Sequence, residues 1–328
     1  MANITTVEGK IVKIIEESDQ YQKLQIQIGQ KTVKVENGKN QEANFRPYRL
    51  NDKVILKQAQ TPSGPRYFIS DYLRQEPLLV LFLLFVVTVV LVAKKRGVAS
   101  LLGLLTSFAV IFGYILPNLA SGQNPVNVAI AGALVIVPAT FFLSHGLNRK
   151  TVIAIIATFI ALFVTGVLAA LFVELARLTG FSSDEAAFLH LAQKGAISMK
   201  GLLLAGIIIG VLGVLDDVTI SQAAIVFQLK KTDPSLSFSQ LVKKTMEIGH
   251  DHISSMVNTL VLVYTGASLP LLLLFINNPQ PLGQLVSYEM IAEEVIRTLV
   301  SSIGLIISVP ITTALAAYTA TNSYLSGK

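Results

Sequence analysis

The chain has 328 residues, of which 52% are hydrophobic and only 14% are charged. This composition is typical of several membrane-spanning helices joined to a modest polar part. The net charge of +6 is spread over loops and the N-terminal region, so it does not form a nucleic-acid footprint. Cysteine is absent, which excludes disulfides and thiolate-ligated metals.

Residues 1–74 are predicted to form a separate polar domain rich in β-structure. Lys23–Ile28 and Lys31–Glu36 alternate polar and apolar residues with a period of two, and turn residues separate them. Further strands are predicted at residues 9–16, 53–59 and 66–69. Five short antiparallel strands favour a small β-barrel-like domain of the OB or SH3-like type. Its excess of basic residues allows oligonucleotide binding, but an accessory or assembly role is favoured because no aromatic stripe stands out.

Residues 77–328 are predicted to form a polytopic α-helical transmembrane domain. Seven segments each contain about 17 or more mainly apolar residues, enough to cross a hydrocarbon layer about 30 Å thick. They are residues 77–93, 98–116, 125–144, 151–173, 201–227, 253–276 and 295–317. Two of the segments that connect the spans also contain sequence patterns typical of helices. Ser182 and Glu185 have capping-box spacing ahead of a short helix, and residues 237–248 are predicted to form an amphipathic helix.

The basic residues of the loops predict the orientation of these spans. One set of loops carries Lys94, Lys95, Arg96, Arg149, Lys150, Lys230, Lys231, Lys243, Lys244 and Lys328. The other set carries Arg74, Arg177, Lys194, Lys200 and Arg297. The positive-inside rule therefore places the C-terminus in the cytoplasm and the N-terminal domain outside. Export of a folded domain without a leading signal is unusual, so either an N-terminal span was trimmed from this sequence or the domain is cytosolic and the charge bias is misleading. We favour the first alternative.

Two adjacent aspartates, Asp216 and Asp217, lie inside the apolar run of the fifth span. From Asp217 to Lys230 there are 13 residues, or roughly 20 Å of helix, which places the pair near mid-membrane depth. A carboxylate there costs several kcal/mol unless it is paired, protonated or hydrated, so it indicates a functional site. A continuous helix would point the two carboxylates about 100° apart. One resolution is a span broken at Asp217; the other is one aspartate kept protonated and hydrogen-bonded to backbone.

Small residues line the same face of the fifth span. Gly206, Gly210 and Gly213 would let another helix approach closely, and this face continues through Asp217 and Ser221. The sixth span runs back from the cytoplasmic side and carries Asn258 and Thr259 at a similar depth. These side chains are predicted to form a polar chamber on an ion or substrate pathway: Asp216, Asp217, Ser221, Asn258 and Thr259.

A cluster of ionisable residues, His250, Asp251 and His252, lies at the start of the sixth span and is predicted to form the inner mouth of this pathway. Imidazole and carboxylate groups can relay protons or ligate a transition metal, so a metal role remains open beside gating and helix capping. At the other side of the membrane, Arg297 lies too far from Asp217 to reach it. It is predicted to pair with Glu293 or Glu294, at i−4 and i−3, or to snorkel to headgroups.

Three segments resemble the YibE/F-like family of multi-spanning bacterial membrane proteins. They are the run from Gly201 to Asp217, the run from Gly249 to Leu260, and Arg297-Thr298-Leu299-Val300. Asp216, Asp251 and Asn258 match motif residues of the family. The resemblance implies a multi-pass protein of the bacterial cytoplasmic membrane, but it implies no settled activity and no role for these residues.

Two classes of function are compatible with the sequence. The first is a secondary transporter or channel for a small ion or solute, favoured by acidic residues at mid-membrane depth. The second is a non-transporting scaffold or sensor whose external barrel binds a partner protein or envelope polymer. An enzyme is disfavoured, because metalloprotease, nucleophile-elbow and phosphate-loop motifs are all missing, and no catalytic residue or cofactor is predicted. The expected partners are the lipid bilayer and a small ion or solute, with homo-oligomerisation left open and nucleic acid excluded.

Overall fold

The computed structural model describes residues 5–38, 47–61, 64–276 and 281–325. Contacts between Cα atoms divide the chain into two compact units, residues 1–91 and 92–328. The division falls within the first long helix.

The N-terminal unit is built on one five-stranded antiparallel sheet, in the order β3-β2-β1-β4-β5. The strands are β1 (Thr5–Ser18), β2 (Tyr21–Ile28), β3 (Lys31–Asn37), β4 (Lys53–Thr61) and β5 (Gly64–Tyr72). The five predicted strands are therefore confirmed. The long strand β1 pairs with β4 along its first part and with β2 along the rest, and irregular register bends it. The result is an antiparallel half-barrel.

Apolar side chains at alternate positions of the strands fill the inside of this half-barrel. Ile11, Leu24, Ile26 and Leu56 are fully buried, as expected where every second residue points to the same side of a sheet. A buried polar side chain, Gln22, accepts a hydrogen bond from the backbone of Tyr48 and donates one to its carbonyl. The edge strands β3 and β5 line an open cleft of about 1040 Å³.

Five helices in the described part of the chain are long and apolar enough to cross a membrane. They are Gln75–Ala120, Pro125–His145, Arg149–Leu175, Met199–Thr232 and Glu289–Asn322. The first comprises α1 (Gln75–Val110), a π-helical turn (Ile111–Ile115) and α2 (Leu116–Ala120). Its 46 residues would measure roughly 70 Å if straight, about twice a hydrocarbon layer. The backbone of Lys94, with φ 53° and ψ −131°, breaks it where the sequence predicts a loop.

Helix α6 (Met199–Thr232) is the centre of the second unit. It packs against α3 (Pro125–His145), α4 (Arg149–Leu175) and α10 (Glu289–Leu325), and α10 also packs against α4. The buried core is mostly aliphatic, including Ile207, Val211 and Leu215 of α6. The outward faces remain apolar too, as lipid contact requires. The short helix α5 (Asp184–Ala192) begins after Ser183, one residue later than the predicted cap, and Ser183 accepts from the Ala186 amide.

The predicted sixth span is not a single helix. Helix α7 (Phe238–Ala267) joins the predicted amphipathic helix to most of that span, and its start carries a complete capping box formed by Ser237 and Gln240. The helix ends at Ser268 because Pro270 has no N–H to bond the carbonyl of Gly266. Two short helices follow, α8 (Leu269–Ile276) and α9 (Leu282–Leu285). Seven spans are thus not confirmed, since five helices meet the criteria of length and apolarity.

Candidate functional site

Asp216 and Asp217 lie on a helix that continues unbroken through both residues. Helix α6 runs from Met199 to Thr232, so the predicted break at Asp217 is wrong. The apolar neighbours on both sides of the pair bury enough surface against α3, α4 and α10 to hold the helix together. As a continuous helix requires, the two carboxylates point to different environments: Asp216 is half-buried and Asp217 is exposed.

The partner of Asp216 comes from α3. The Thr140 hydroxyl donates towards Asp216 Oδ2 over 3.5 Å, and the same hydroxyl lies 2.9 Å from the Ile136 carbonyl oxygen. A hydroxyl has a single proton, so Asp216 receives only a shared bond at the limiting distance. Asp216 Oδ1 is buried, and the described residues provide no partner for it. The carboxyl group is therefore poorly compensated by the protein.

Small and polar residues lie beside Thr140, the partner of this carboxyl group. A methyl group on Gly103 of α1 would lie 3.4 Å from Ser144 Oγ and 3.6 Å from the Thr140 backbone, so the two helices approach closely here. His145, the last residue of α3, is within electrostatic range of Asp217, Lys150 and Arg96. Thr140 precedes that helix end by five residues, about 8 Å. The aspartates therefore lie towards the end of the bundle where basic residues collect.

Lys230, from which the depth of the aspartates is predicted, is buried inside the protein. Its ammonium group is buried and donates to the carbonyl oxygens of Pro234 and Leu236, at 2.8 and 2.7 Å. Helix α6 accordingly continues past the level of α3, and its last turns pack against the beginning of α7. The burial of Lys230 could not be predicted from the sequence, because a buried lysine and a lysine at the membrane interface can both follow an apolar run.

The other residues of the predicted chamber are placed differently. Ser221 is half-buried on α6, whereas Asn258 and Thr259 are exposed on α7, and Thr259 bonds to the carbonyl of Ser255 in its own helix. Leu260 is the residue that α7 buries at this level, against Val218, Leu305 and Val309. Asn258 has a depth close to that of the aspartates but points about 160° away from Leu260. Its role in a pathway stays a prediction.

The His250-Asp251-His252 cluster lies on the outer side of α7. His250 and Asp251 are exposed and His252 is half-buried. The adjacent Gly249 is buried, and a methyl group there would lie 2.9 Å from Gln222 Nε2, six residues beyond Asp216 on α6. The cluster is thus about 9 Å further along α6 than the aspartate pair. Within the described ranges, no three His, Asp or Glu side chains come together to hold a metal ion.

Two of the three predicted packing glycines of α6 face polar side chains of other helices. A methyl group on Gly206 would lie 3.7 Å from Arg297 Nη1 of α10, and one on Gly210 would lie 3.8 Å from the Tyr264 hydroxyl of α7. At Gly213 such a group would meet no atom of the described chain within 4 Å. Among the glycines that the structure describes, the closest approach is between Gly304 of α10 and Thr165 of α4.

Several buried polar contacts were missed at the level of sequence. The hydroxyls of Thr158 on α4 and Thr219 on α6 lie 2.8 Å apart. Gln222 of α6 donates to Thr313 Oγ1 of α10 at 2.9 Å and to the Thr245 carbonyl of α7 at 3.2 Å. The sequence does contain one indication of a polar face on α4. Thr151, Thr158 and Thr165 recur every seven residues and therefore lie on the same side of this helix. All three are buried.

The predicted pairing of Arg297 is confirmed. Arg297 Nη2 donates to Glu293 Oε1 at 2.9 Å, and Arg297 Nε lies 3.4 Å from Glu294 Oε2. The second contact is close enough for electrostatic attraction, but its geometry is too poor for a hydrogen bond. One arginine therefore faces two carboxylates at the opposite end of the bundle from the basic loops.

The family model for the YibE/F-like protein family matches residues 81–322. The chain belongs to this family. The match includes α6, α7 and all but the last three residues of α10, and hence every residue of the predicted pathway in this YibE/F-like protein. Comparison with curated proteins and with solved structures gave no match.

Proposed function

We propose that this YibE/F-like membrane protein is a secondary transporter or channel for a small ion or solute, with Asp216 as its central ionisable group. The observation that supports the proposal is the half-buried carboxyl group of Asp216, which has one oxygen without a partner among the described residues. Polar groups left unsatisfied inside an apolar bundle are rare and expensive. Such a group persists where it has a ligand to bind or a proton to exchange.

The surroundings of Asp216 favour a small, positively charged ligand. The site offers the carboxyl group and the hydroxyl of Thr140, which are oxygen ligands for a hard cation or carriers of a proton. The second carboxylate, Asp217, is exposed beside it and would raise the local concentration of cations. Large solutes fit poorly, because apolar side chains of α3, α4 and α10 pack closely around this part of α6.

We also propose seven crossings, with the N-terminal half-barrel outside and the C-terminus in the cytoplasm. The break at Lys94 supports two crossings within residues 75–120, and α7 with α8 would supply the seventh. The proposal places Lys94–Arg96, Arg149 and Lys231 together at the cytoplasmic face. Because the chain has no cysteine, single variants test it cleanly. An impermeant thiol reagent added to intact cells should label Gln30→Cys and not Lys231→Cys; the reverse pattern would invert the orientation.

Screening of the purified full chain identifies the transported species. Proteoliposomes loaded with Na⁺, K⁺ or a pH-sensitive dye would report cation or proton flux down an imposed gradient. Solutes that raise the unfolding midpoint would enter the same assay, because a ligand that binds the native state stabilises it. Absence of flux for every ion and every stabilising solute would contradict transport.

The half-barrel supports a second function, binding of an anionic partner or envelope polymer. The cleft between β3 and β5 is lined by Lys31, Lys34, Arg66 and Phe68 among others, and the Arg66 guanidinium lies 5.7 Å from the centre of the Phe68 ring. Basic groups beside an aromatic surface suit an extended polyanion. The full chain should bind polyglutamate in a salt-dependent manner, and the Lys34→Glu, Arg66→Glu double variant should lose that binding. Equal binding by the variant would remove this candidate.

A further inference from the structure

The beginning of α10 contains a second buried polar cluster, about 15 Å from Asp216 along α6. Arg297 faces Gly206 of α6, ten residues before Asp216. Helices α6 and α10 run parallel here, because Gln222 and Thr313, each 16 residues further on, also contact one another. The cluster and Asp216 are therefore two separate levels of one helix interface.

The charges of this cluster do not balance. Glu293 and Glu294 together carry two negative charges when ionised, and Arg297 supplies one positive charge. Glu293 is 8% exposed, so most of the cost of burying its charge must be met by a partner inside the protein. With both carboxylates ionised, the cluster has a net charge of −1. One additional positive charge would neutralise it.

The ionisable groups that the structure describes near this cluster do not provide that charge. On α6, Lys200 is paired with Glu174 of α4, and on α7 the Tyr264 hydroxyl lies beside Gly210. Glu289, at the start of α10, accepts hydrogen bonds from the amides of Thr179 and Gly180. In the part of the chain that the structure describes, the remaining charge at Glu293 and Glu294 is thus left uncompensated.

Three buried polar atoms without a partner follow one another along this face of α10. Among the described residues, Glu293 Oε2, Arg297 Nε and Ser301 Oγ have no hydrogen-bond partner. Their residues are spaced four apart and so lie on one side of the helix, each about 6 Å from the next. Ser301 is 3% exposed. Buried polar atoms of this kind normally bind water or an ion.

Buried hydroxyls continue from this cluster towards Asp216. Gly304, three residues after Ser301, lies directly against the Thr165 hydroxyl of α4. Thr158 follows two turns along the same face of α4 and contacts Thr219 of α6, which lies within one turn of Asp216. Buried polar groups therefore recur at intervals through the apolar core between Glu293 and Asp216.

The geometry points to a second site for a monovalent cation at Glu293, completed by Glu294 and Arg297, with these hydroxyls spaced along the core between it and Asp216. The bound species is a proton or an alkali metal ion, and both supply the missing positive charge. Arg297 acts as a fixed counter-ion that keeps the site at a single negative charge, which selects one monovalent ion over a divalent one. This inference rests on the proposed transport function, for which it supplies the outer of two binding positions.

Equilibrium binding by the full chain in lipid nanodiscs tests the site independently of transport. The unfolding midpoint would be measured in NaCl, KCl and choline chloride at constant ionic strength, and separately across a pH series. An alkali ion site predicts stabilisation by Na⁺ or K⁺ over choline, whereas a proton site predicts stabilisation as the pH falls. Glu293→Gln should lose the part of the response that is due to Glu293, and Asp216→Asn should retain that part. Glu174→Gln, which removes an exposed carboxylate at the same end, is the matched control and should respond like the wild type.

A full response in a folded Glu293→Gln variant, or no response in the wild type, would overturn the second site. Should Glu293→Gln fail to fold, Glu293→Asp decides: withdrawal of the carboxylate by one methylene should weaken cation affinity several-fold, and unchanged affinity would refute the assignment. Failure of the proposed transport function would give a different pattern of results. A Glu293-dependent cation response in a protein without flux would contradict transport alone, and Asp216-dependent flux without that response would contradict the second site alone.

Discussion

The hydroxyls of Thr158 and Thr219 lie 2.8 Å apart and join α4 to α6 one turn from Asp216. Each hydroxyl is also within hydrogen-bond distance of a carbonyl oxygen of its own helix, 2.9 Å from Ala154 and from Leu215 respectively. Both residues are fully buried. The contact therefore fixes the rotation of α6 that directs Asp216 towards Thr140.

Replacement of the two threonines by valine should reveal this coupling. Thr158→Val and Thr219→Val should each destabilise the protein by about 1 kcal/mol, because each leaves a buried hydroxyl without its interhelical partner. The double variant should lose less than the sum, with a coupling energy of about 0.5–1 kcal/mol. Unfolding by SDS titration of the four proteins measures it. Strict additivity would show that the contact contributes nothing to the association of α4 and α6.

Gly304 should be intolerant of any side chain. A methyl group there would lie 2.0 Å from Thr165 Oγ1, so Gly304→Ala must push α10 away from α4, at a cost of about 1–3 kcal/mol. Thr165→Ala in the same chain should restore part of the loss. Gly213→Ala is the matched control, since its methyl group meets no described atom within 4 Å and alanine favours the helix by up to about 1 kcal/mol. Equal thermal midpoints for the two alanine variants would contradict the packing described for α10.

Loss of Arg297 should be severe because it leaves two carboxylates without their counter-ion. Arg297→Met is expected to destabilise the protein by about 3–5 kcal/mol, the usual effect of breaking a buried ion pair. Adding Glu293→Gln and Glu294→Gln to that variant should recover most of the stability. If the triple variant is no more stable than Arg297→Met, packing of the arginine side chain and not its charge is what matters.

Lys230 and Lys231 should differ sharply although they are neighbours. The ammonium group of Lys230 bonds to the carbonyls of Pro234 and Leu236, and Lys231 is exposed. Lys230→Met should cost about 1.5–3 kcal/mol, and Lys231→Met should stay within about 0.5 kcal/mol of the wild type. Thermal midpoints in the same detergent compare them. Similar midpoints would mean that Lys230 is an ordinary interfacial lysine.

Local pattern was sufficient to predict the strands and most of the helices. The period-two alternation at Lys23–Ile28 and Lys31–Glu36 located β2 and β3, and the apolar segments at 125–144 and 151–173 located α3 and α4 within about two residues. The pairing of Arg297 was predictable for the same reason, because its partners lie three and four residues away on one helix. Each of these features depends on residues that are close in sequence.

Long-range features could not be read from the sequence in this way. Thr140 meets Asp216 across 76 positions, and a threonine in one apolar helix gives no sign of its partner in another. The rotation of α7, which buries Leu260 and exposes Asn258, is set by contacts with both α6 and α10. The break at Asp217 was inferred from a rule that carboxylates should share a site. The apolar packing on both sides of the pair keeps the helix continuous.

Flux through the Asp216→Asn variant tests the central claim most directly. The change preserves the shape of the side chain and removes its charge and its capacity to exchange a proton. Flux of the transported ion through proteoliposomes would be measured for wild type, Asp216→Asn and the matched control Asp217→Asn, after each protein is shown to be folded. The account predicts that Asp216→Asn abolishes flux and that Asp217→Asn, whose exposed carboxylate only attracts cations towards the site, lowers flux without abolishing it. Wild-type flux through a folded Asp216→Asn protein would contradict it.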